Sequence, residues 1–422
     1  MDIEVTSIES YGNLPMESLF SMALRVNKKR QFLFVSKLIA KHLAVHPVLA
    51  LGTGSLLASL LMEKFVLSPI PQSSKIVEMI AKGNVCHETS RESLKYRATL
   101  PERTVFIGMA ETATGLGHAV FHHFDEASYI HTTREEIKGA SPAFVFEEEH
   151  SHATSHKVFA PEGVLEDAET IVLIDDEIST GNTLLNLITA LNSQFPGKNY
   201  ISLSILDWRS DSQKRKLEEL AETHNLKIEV LSLLAGEFEL IHSESPDEEE
   251  LDPLNGNGNR VPNLSAKIAA IDFQSNTGQR YLPYTGRFGL TSDKHKEIEG
   301  WAKKVVKTVE ISEKPLVIGI GENMYLPLRF ALALGGDALV QTTTRSPIFA
   351  ADEKGYPIKN KVRFQLPDVK DVNQFLYNIN ELDVDRIYLL AESVVEEQEW
   401  QPLITYLEKK APVEWLSLTD KS

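Results

Sequence analysis

Cysteine is almost missing from this chain. Cys86 stands alone among 422 residues, so no intrachain disulfide can form and nothing points to an oxidising compartment. Long apolar runs are also scarce. The best of them, Pro47–Met62, is too short to cross a bilayer and is divided by Gly52-Thr53-Gly54-Ser55 into a strand-like and a helix-like piece. The opening residues, MDIEVTSIES, carry neither the basic nor the apolar stretch of a signal peptide. These absences set the expectation of a cytoplasmic protein with no membrane partner. Positive charge is short too: 43 basic residues face 60 acidic ones, a net charge of −17. An acidic surface repels phosphate backbones, which argues against nucleic acid as a partner. Six of the acids fall within Glu244–Asp252, and the balance stays strongly negative without them.

What is present is an ordinary globular composition, 42% apolar and 24% charged. At about 100–200 residues per domain the length suggests two or three domains. The segment His242–Arg260, HSESPDEEELDPLNGNGNR, has no apolar periodicity and is rich in acids and turn formers. It reads as a linker, which divides the chain into residues 1–241, a linker at 242–262, and residues 263–422. A long surface loop inside one domain is the other reading.

Before the linker, apolar runs at Val48–Leu51, Thr104–Ile107, Ser128–His131, Ile171–Ile174 and Ile201–Leu206 read as buried strands. Leu56–Phe65, Leu116–Phe124, Thr183–Leu191 and Ser212–Ala221 read as helices between them. Continuous apolar strands alternating with helices predict an α/β fold, a parallel Rossmann-like sheet covered on both faces. Ligands in such sheets bind beyond the carboxyl ends of the strands. After the linker the rhythm returns at Leu316–Ile320, Ala338–Gln341, Arg386–Leu390 and Glu414–Leu418. Ile107-Gly108-Met109-Ala110-Glu111 is echoed by Ile318-Gly319-Ile320-Gly321-Glu322, and Thr132-Thr133-Arg134 by Thr343-Thr344-Arg345. Both glutamate–arginine pairs are 23 positions apart. The second half is therefore expected to be a diverged α/β copy of the first.

The strongest chemical signal is Thr170–Thr183, TIVLIDDEISTGNT. A buried strand runs into Asp175, Asp176 and Glu177, then Ile178, Ser179, Thr180, Gly181, Asn182 and Thr183, where a helix begins. Such a junction exposes unpaired backbone N–H groups that cradle a phosphate. Gly181 allows close approach of the backbone, and the hydroxyls of Ser179, Thr180 and Thr183 add donors. Two acids cannot serve a phosphate directly; they suit the hydroxyls of an attached sugar and a Mg²⁺ ion on the phosphate. A strand ending in two acids also occurs in receiver domains and nucleotide hydrolases, but no GxxxxGK[ST] loop accompanies this one.

This motif resembles that of the type I phosphoribosyltransferases: an apolar strand, two acids, and a loop ending Thr-Gly-x-Thr, here Thr180-Gly181-Asn182-Thr183. The resemblance implies 5-phosphoribosyl-1-pyrophosphate (PRPP) as ligand. Asp175 and Asp176 would hold the ribose and Glu177–Thr183 the 5-phosphate. A pyrophosphate loop is implied at Ala110, Glu111, Thr112, Ala113 and Thr114, with Arg134 reaching the pyrophosphate. Glu135–Phe159, with His152, His156 and Lys157, would be a flexible hood, and Trp208 a platform for the acceptor base. Arg134 as a structural ion-pair partner, Trp208 as an ordinary surface residue, and a metal site among the histidines at 150, 152 and 156 remain open. Thr344-Arg345-Ser346-Pro347 spells the motif of the TRSP domain. That domain follows an orotate-phosphoribosyltransferase-like domain in bacterial tellurium-resistance-associated gene clusters. Arg25–His42 and Tyr284–Gly289 look like features of the same family. The implied activity is Mg²⁺-dependent phosphoribosyl transfer to a base-like acceptor, in a homodimer or an intramolecular pseudo-dimer. A PRPP sensor without catalysis is the second reading, since acidic Glu111 sits awkwardly in an anion loop; a phosphohydrolase or phosphorylase is the third.

Overall fold

The structure is a computed structural model that describes residues 2–25, 31–147, 155–242, 251–265, 267–367 and 372–419. Its central sheet has seven strands, in the order Asp2–Ser10, Ile228–His242, Asn199–Asp207, Thr170–Ile178, Thr104–Gly108, Ser128–His131, Leu290–Thr291. The five inner strands are parallel and the two edge strands antiparallel. Thr104–Gly108 is buried along its whole length and Ile171–Ile174 is almost fully covered. Such uninterrupted apolar strands need layers on both faces.

A second sheet has four parallel strands, in the order Leu339–Thr342, Pro315–Gly319, Arg386–Ala391, Val413–Ser417. These repeat, in chain order and in spatial order, Ser128–His131, Thr104–Gly108, Thr170–Ile178 and Asn199–Asp207. The repetition includes a hairpin after Ser128–His131 and after Leu339–Thr342, Phe144–Glu147 with Ser155–Val158 in one half and Lys361–Phe364 with Gln374–Tyr377 in the other. The halves meet where helix Pro47–Lys64 and helix Thr114–Phe121 pack against helix Tyr325–Leu334. Residues 263–291 touch both sheets: Asn263 bridges Leu416, Gln274 pairs with Lys138, and Leu290 with Tyr129.

One expectation fails. Val48–Leu51 is not a strand, and Gly52–Ser55 is not a turn; all lie inside the helix Pro47–Lys64. Pro47 occupies its first turn, and His46 Nδ1 caps it by accepting from the Val48 N–H at 3.2 Å. The helix is buried almost all round, so it lacks the one-sided period that would reveal it. Its glycines serve packing. A methyl at Gly54 would come within 2.4 Å of Ala119 Cβ and 2.6 Å of its carbonyl carbon. Gly54→Ala should therefore destabilise the protein by about 1–3 kcal/mol through overpacking, against a helix-propensity gain of only about 0.5–1 kcal/mol. A urea midpoint that rises in this variant would contradict that contact. No helix among the described residues is long and apolar enough to cross a membrane.

Candidate functional site

The acid-pair strand outruns its neighbour. Thr104–Gly108 stops pairing at Gly108, opposite Ile174, whereas Thr170–Ile178 continues beside the strand on its other side to Ile178, opposite Asp207. Asp175, Asp176 and Glu177 thus stand on an overhang, half-buried, beside the space where the chain turns away after Gly108. The loop then bends through Gly181, whose φ of 79° favours glycine, into helix Asn182–Gln194. A methyl on Gly181 would lie 2.9 Å from Arg209 Cδ. Arg209 is itself pinned beneath the loop by Asp207, at 2.9 and 2.7 Å.

Facing this overhang is the loop after Gly108. The Met109 N–H donates to Ile174 O at 2.9 Å and the Ala110 N–H to Thr132 Oγ1 at 2.8 Å, which fixes the loop against both flanking strands. The Ala110–Glu111 peptide is cis. Lys41 donates to Thr112 Oγ1 at 2.5 Å. Between loop and overhang lies a cleft of about 190 Å³. Asp175, Asp176, Glu177, Ser179 and Thr183 line one side; Ala110, Glu111, Thr112, Arg134 and His156 line the other. Residues as far as 321 positions apart in sequence thus meet here only through the fold, because Arg345 and Ser346 from the second half also form its wall, with Arg25, Lys41 and Phe34 from the N-terminal region.

The predicted residues do not all face the cleft. Ile178 is buried with the core. Ala113 and Thr114 begin the helix behind the loop, with Thr114 donating to Glu111 O and Glu322 O. His156 is buried and held by Thr132 Oγ1 at 2.9 Å, by the Arg134 Nε–H at 3.2 Å and by stacking on Phe146. Lys157 pairs with Glu136. His150 and His152 lie outside the described residues. Trp208 is also turned inward, 3% exposed, stacked on Phe34 at 4.8 Å and edge-on to Phe20. The hairpin Phe20–Leu24 with Phe32–Ser36 covers it, and Phe34 is the aromatic that reaches the cleft wall.

The loop glutamate has an unexpected partner. Glu111 accepts from Thr344 Oγ1 at 2.9 Å and from the Arg345 N–H at 3.5 Å, with Lys41 at 3.7 Å. Its counterpart Glu322 accepts from Thr133 Oγ1 at 2.8 and 2.9 Å and from the Arg134 N–H at 3.2 Å. Each half lends its glutamate to the Thr-Thr-Arg turn of the other, so the two 23-residue spacings mark one reciprocal exchange across the seam. Burial would raise the Glu111 pKa, but Lys41, Arg345 and Arg134 outweigh it and hold the carboxyl below its ordinary value. Nearby His42 is kept neutral, first by burial and then by Lys41 and Arg25. Arg345 and Lys41 were legible as parts of repeated or basic segments, but nothing local in sequence assigns them to this cleft.

The family model described as phosphoribosyl transferase matches residues 19–237. The model of the TRSP domain, described as C-terminal to it, matches residues 284–407. No curated protein matches the chain. Similar solved structures include adenine phosphoribosyltransferase from Leishmania donovani, at 17% identity and a TM-score of 0.22, covering 33% of this chain and 59% of that one. Another is the Trypanosoma brucei adenine enzyme in complex with AMP, pyrophosphate and ribose-5-phosphate, at 18% identity and 0.23, covering 38% and 65%. A hypoxanthine phosphoribosyltransferase from Staphylococcus aureus aligns at 10% identity and 0.22, covering 41% and 73%. The chain thus spans less than two thirds of the length of the two adenine enzymes.

Proposed function

The chain belongs to the phosphoribosyl transferase family, and on that premise we propose that it transfers the phosphoribosyl group of PRPP to a base-like nitrogen acceptor. The observation that carries this reading is the cleft. It brings the acid pair, the loop before helix Asn182–Gln194, the loop after Gly108 and Arg134 to one space, as donor binding requires. In the reaction the bond from ribose C1 to pyrophosphate oxygen breaks, the acceptor nitrogen bonds to C1 from the opposite face, and the nitrogen loses its proton. Positive charge develops on the sugar and negative charge on the leaving group. The nest Ile178–Thr183 would hold the 5-phosphate, and Asp175 with Asp176 the ribose hydroxyls. Arg134, Lys41 and Arg345 would receive the pyrophosphate. The hairpin carrying His156 would shield the cleft from water, and Phe34 would offer the acceptor an apolar face.

Asp175, Asp176 and Glu177 offer oxygen donors of the kind a hard divalent cation takes. Mg²⁺ bound there with the donor would neutralise charge on the pyrophosphate. The sensor reading rested on acidic Glu111 in an anion loop. That carboxylate is engaged by Thr344, Lys41 and the Arg345 N–H, so its charge is offset before any ligand arrives, which favours catalysis. The second half would act as a built-in partner, completing the cleft with Arg345 in place of a second subunit.

Calorimetric titration of PRPP with Mg²⁺, followed by a pyrophosphate-release screen over candidate bases, tests the proposal. Binding plus release with one base supports the transferase, binding with no release returns the sensor, and no binding removes both. Arg345→Gln should raise KM for PRPP about 10–100-fold, the loss of a charge-assisted contact worth about 1.5–3 kcal/mol, with the fold intact. An unchanged KM would take Arg345 out of the donor site.

A further inference from the structure

A second polar pocket lies at the opposite end of helix Thr114–Phe121 from the cleft. That helix is eight residues long, about 12 Å. The pocket, about 240 Å³, is lined by Lys95, Arg97 and His122 of the first half and by His295, Lys296, Glu299 and Arg329 of the second. It takes no part in the chemistry above.

Its geometry is unusual for a structural seam. His122 Nε2 lies 2.8 Å from the Leu94 carbonyl. A carbonyl only accepts, so Nε2 carries the proton and Nδ1 is left with a single lone pair. Both Arg97 Nη2 and Arg329 Nη1 point at that one atom, each at 3.4 Å. Two guanidinium groups thus converge on one ring nitrogen, and Arg329 Nη1 also donates to Tyr325 Oη at 3.2 Å. Arg97 Nη1, Arg329 Nε and His295 Nε2 are buried with no hydrogen-bond partner. His295 is 2% exposed and Arg329 5%. Buried donors are ordinarily paired, and each unpaired one costs about 1–3 kcal/mol.

The surrounding carboxylates do not remove the imbalance. Glu299 lies 3.4 Å from Arg329, while Asp125 lies 3.7 Å from Arg97 and 2.9 Å from Lys296. The rim lysines have further acids of their own, Lys296 with Asp293 at 3.0 Å and Lys95 with Glu92 at 3.2 Å, whereas the two arginines meet their carboxylates only at 3.4 and 3.7 Å. Burial, followed by His118 for one and Arg329 for the other, keeps His295 and His122 neutral. His122 is occupied at both nitrogens, and His295 Nε2 is left to meet a ligand without adding charge. No group of three His, Cys, Asp or Glu among the described residues is placed to hold a metal ion, and clustered cations would repel one. The missing partner is an acceptor-rich anion. At about 30 Å³ per water, the space takes a phosphate group together with a small organic body.

We propose that this pocket is a second, non-catalytic binding site for a phosphate-bearing small molecule, held between Arg97 of the first half and Arg329 and Lys296 of the second. Its occupant bridges the halves at one end of the helix whose other end carries the catalytic loop, so binding there tightens the seam on which Arg345 depends.

Inorganic phosphate and ribose 5-phosphate are titrated by calorimetry into the full chain with Ser179→Ala and Thr183→Val, which weaken the phosphate loop of the cleft. Arg97→Gln, Arg329→Gln or Lys296→Gln is then added to that background. The expected result is one phosphate-binding event, weakened at least tenfold by Arg97→Gln or Arg329→Gln and several-fold by Lys296→Gln. Ribose 5-phosphate binding more tightly than phosphate identifies an organic phosphate as the ligand, and equal affinities identify free phosphate. Lys296 is half-exposed at the rim, so its variant gives an answer even where an arginine variant fails to fold. Phosphate affinity unchanged by Lys296→Gln and by every folded arginine variant overturns the proposal, as does the lack of any phosphate binding in the starting background.

Discussion

Asp176→Asn should lower kcat/KM for phosphoribosyl transfer by about 10²–10³ while leaving thermal and urea stability almost unchanged. The carboxylate stands half-buried on the strand overhang, and among the described residues no side chain bonds to it. Substitutions away from structural contacts usually shift stability by no more than about 0.5 kcal/mol, so the folded state has little to lose. The reaction has much more at stake. A charged acceptor aimed at ribose hydroxyls gains strength as the sugar becomes cationic, and losing one such preorganised group costs about 2.7–4 kcal/mol of transition-state stabilisation. The same substitution at Asp175 is a less clean test, because its Oδ1 accepts the Asp176 N–H at 2.9 Å and helps to shape the overhang. Pyrophosphate release measured beside a circular-dichroism melt separates the two effects. Full turnover in a folded Asp176→Asn protein would remove this residue from the mechanism.

The parts of this molecule that sequence discloses are the local ones. The donor loop was readable because strand, acids, glycine and helix start fall within fourteen consecutive residues, Thr170–Thr183. The inner strands were readable because burial on both faces leaves uninterrupted apolar runs; Ser128–His131 is bounded as expected. The helix Pro47–Lys64 was misread for the opposite reason. Burial on all sides gives a helix the same apolar texture as a strand, and its Gly-Thr-Gly-Ser run serves a close helix crossing rather than a turn. The edge strand Asp2–Ser10, half polar and exposed, carries no such signal.

The cleft was only half legible for a related reason. The two glutamates and two Thr-Thr-Arg turns were visible as a repeat, but a repeat does not say which glutamate meets which turn. Only the packing of the halves makes Glu111 answer to Thr344 and Glu322 to Thr133. Likewise Trp208 ends its strand where a base platform was expected. A hairpin from the distant segment Phe20–Ser36 lies over it, and Phe34, itself 2% exposed, lines the cleft wall in its stead. Long-range covering of this kind leaves no trace near the residue that is covered.

Arg287→Met should be the most destabilising single change in the second half, costing about 3–5 kcal/mol at neutral pH, the usual effect of breaking a buried ion pair from one side. Strand pairing sets Leu390 beside Gly319 as it sets Ile174 beside Gly108. Counting on two residues, Glu392 stands where Asp176 stands in the first half. In place of an open cleft, this position holds Arg287, which is 1% exposed. Its guanidinium meets Glu392 at 3.1 Å, Glu322 at 3.1 Å and Glu135 at 4.0 Å, and lies 4.5 Å from the centre of the Tyr281 ring. Burial alone would lower the Arg287 pKa, but Glu392, Glu135 and Glu322 outweigh it and raise it. Removing the cation strands three buried carboxylates, one of which also holds the turn carrying Arg134. The pH dependence has a definite sign. Burial, eased by Arg287, already raises Glu135 and Glu392 above the ordinary value of 4.5. An acid raised in the folded state stabilises folding while it is protonated and loses that contribution as pH rises through its folded pKa. Without Arg287 both carboxyls rise further, so the deficit against the parent should be smallest near the ordinary glutamate range and grow towards neutrality. Urea unfolding of parent and variant across that range reads it directly. A deficit that stays constant with pH would mean that Arg287 acts by packing on Tyr281 rather than by compensating buried charge.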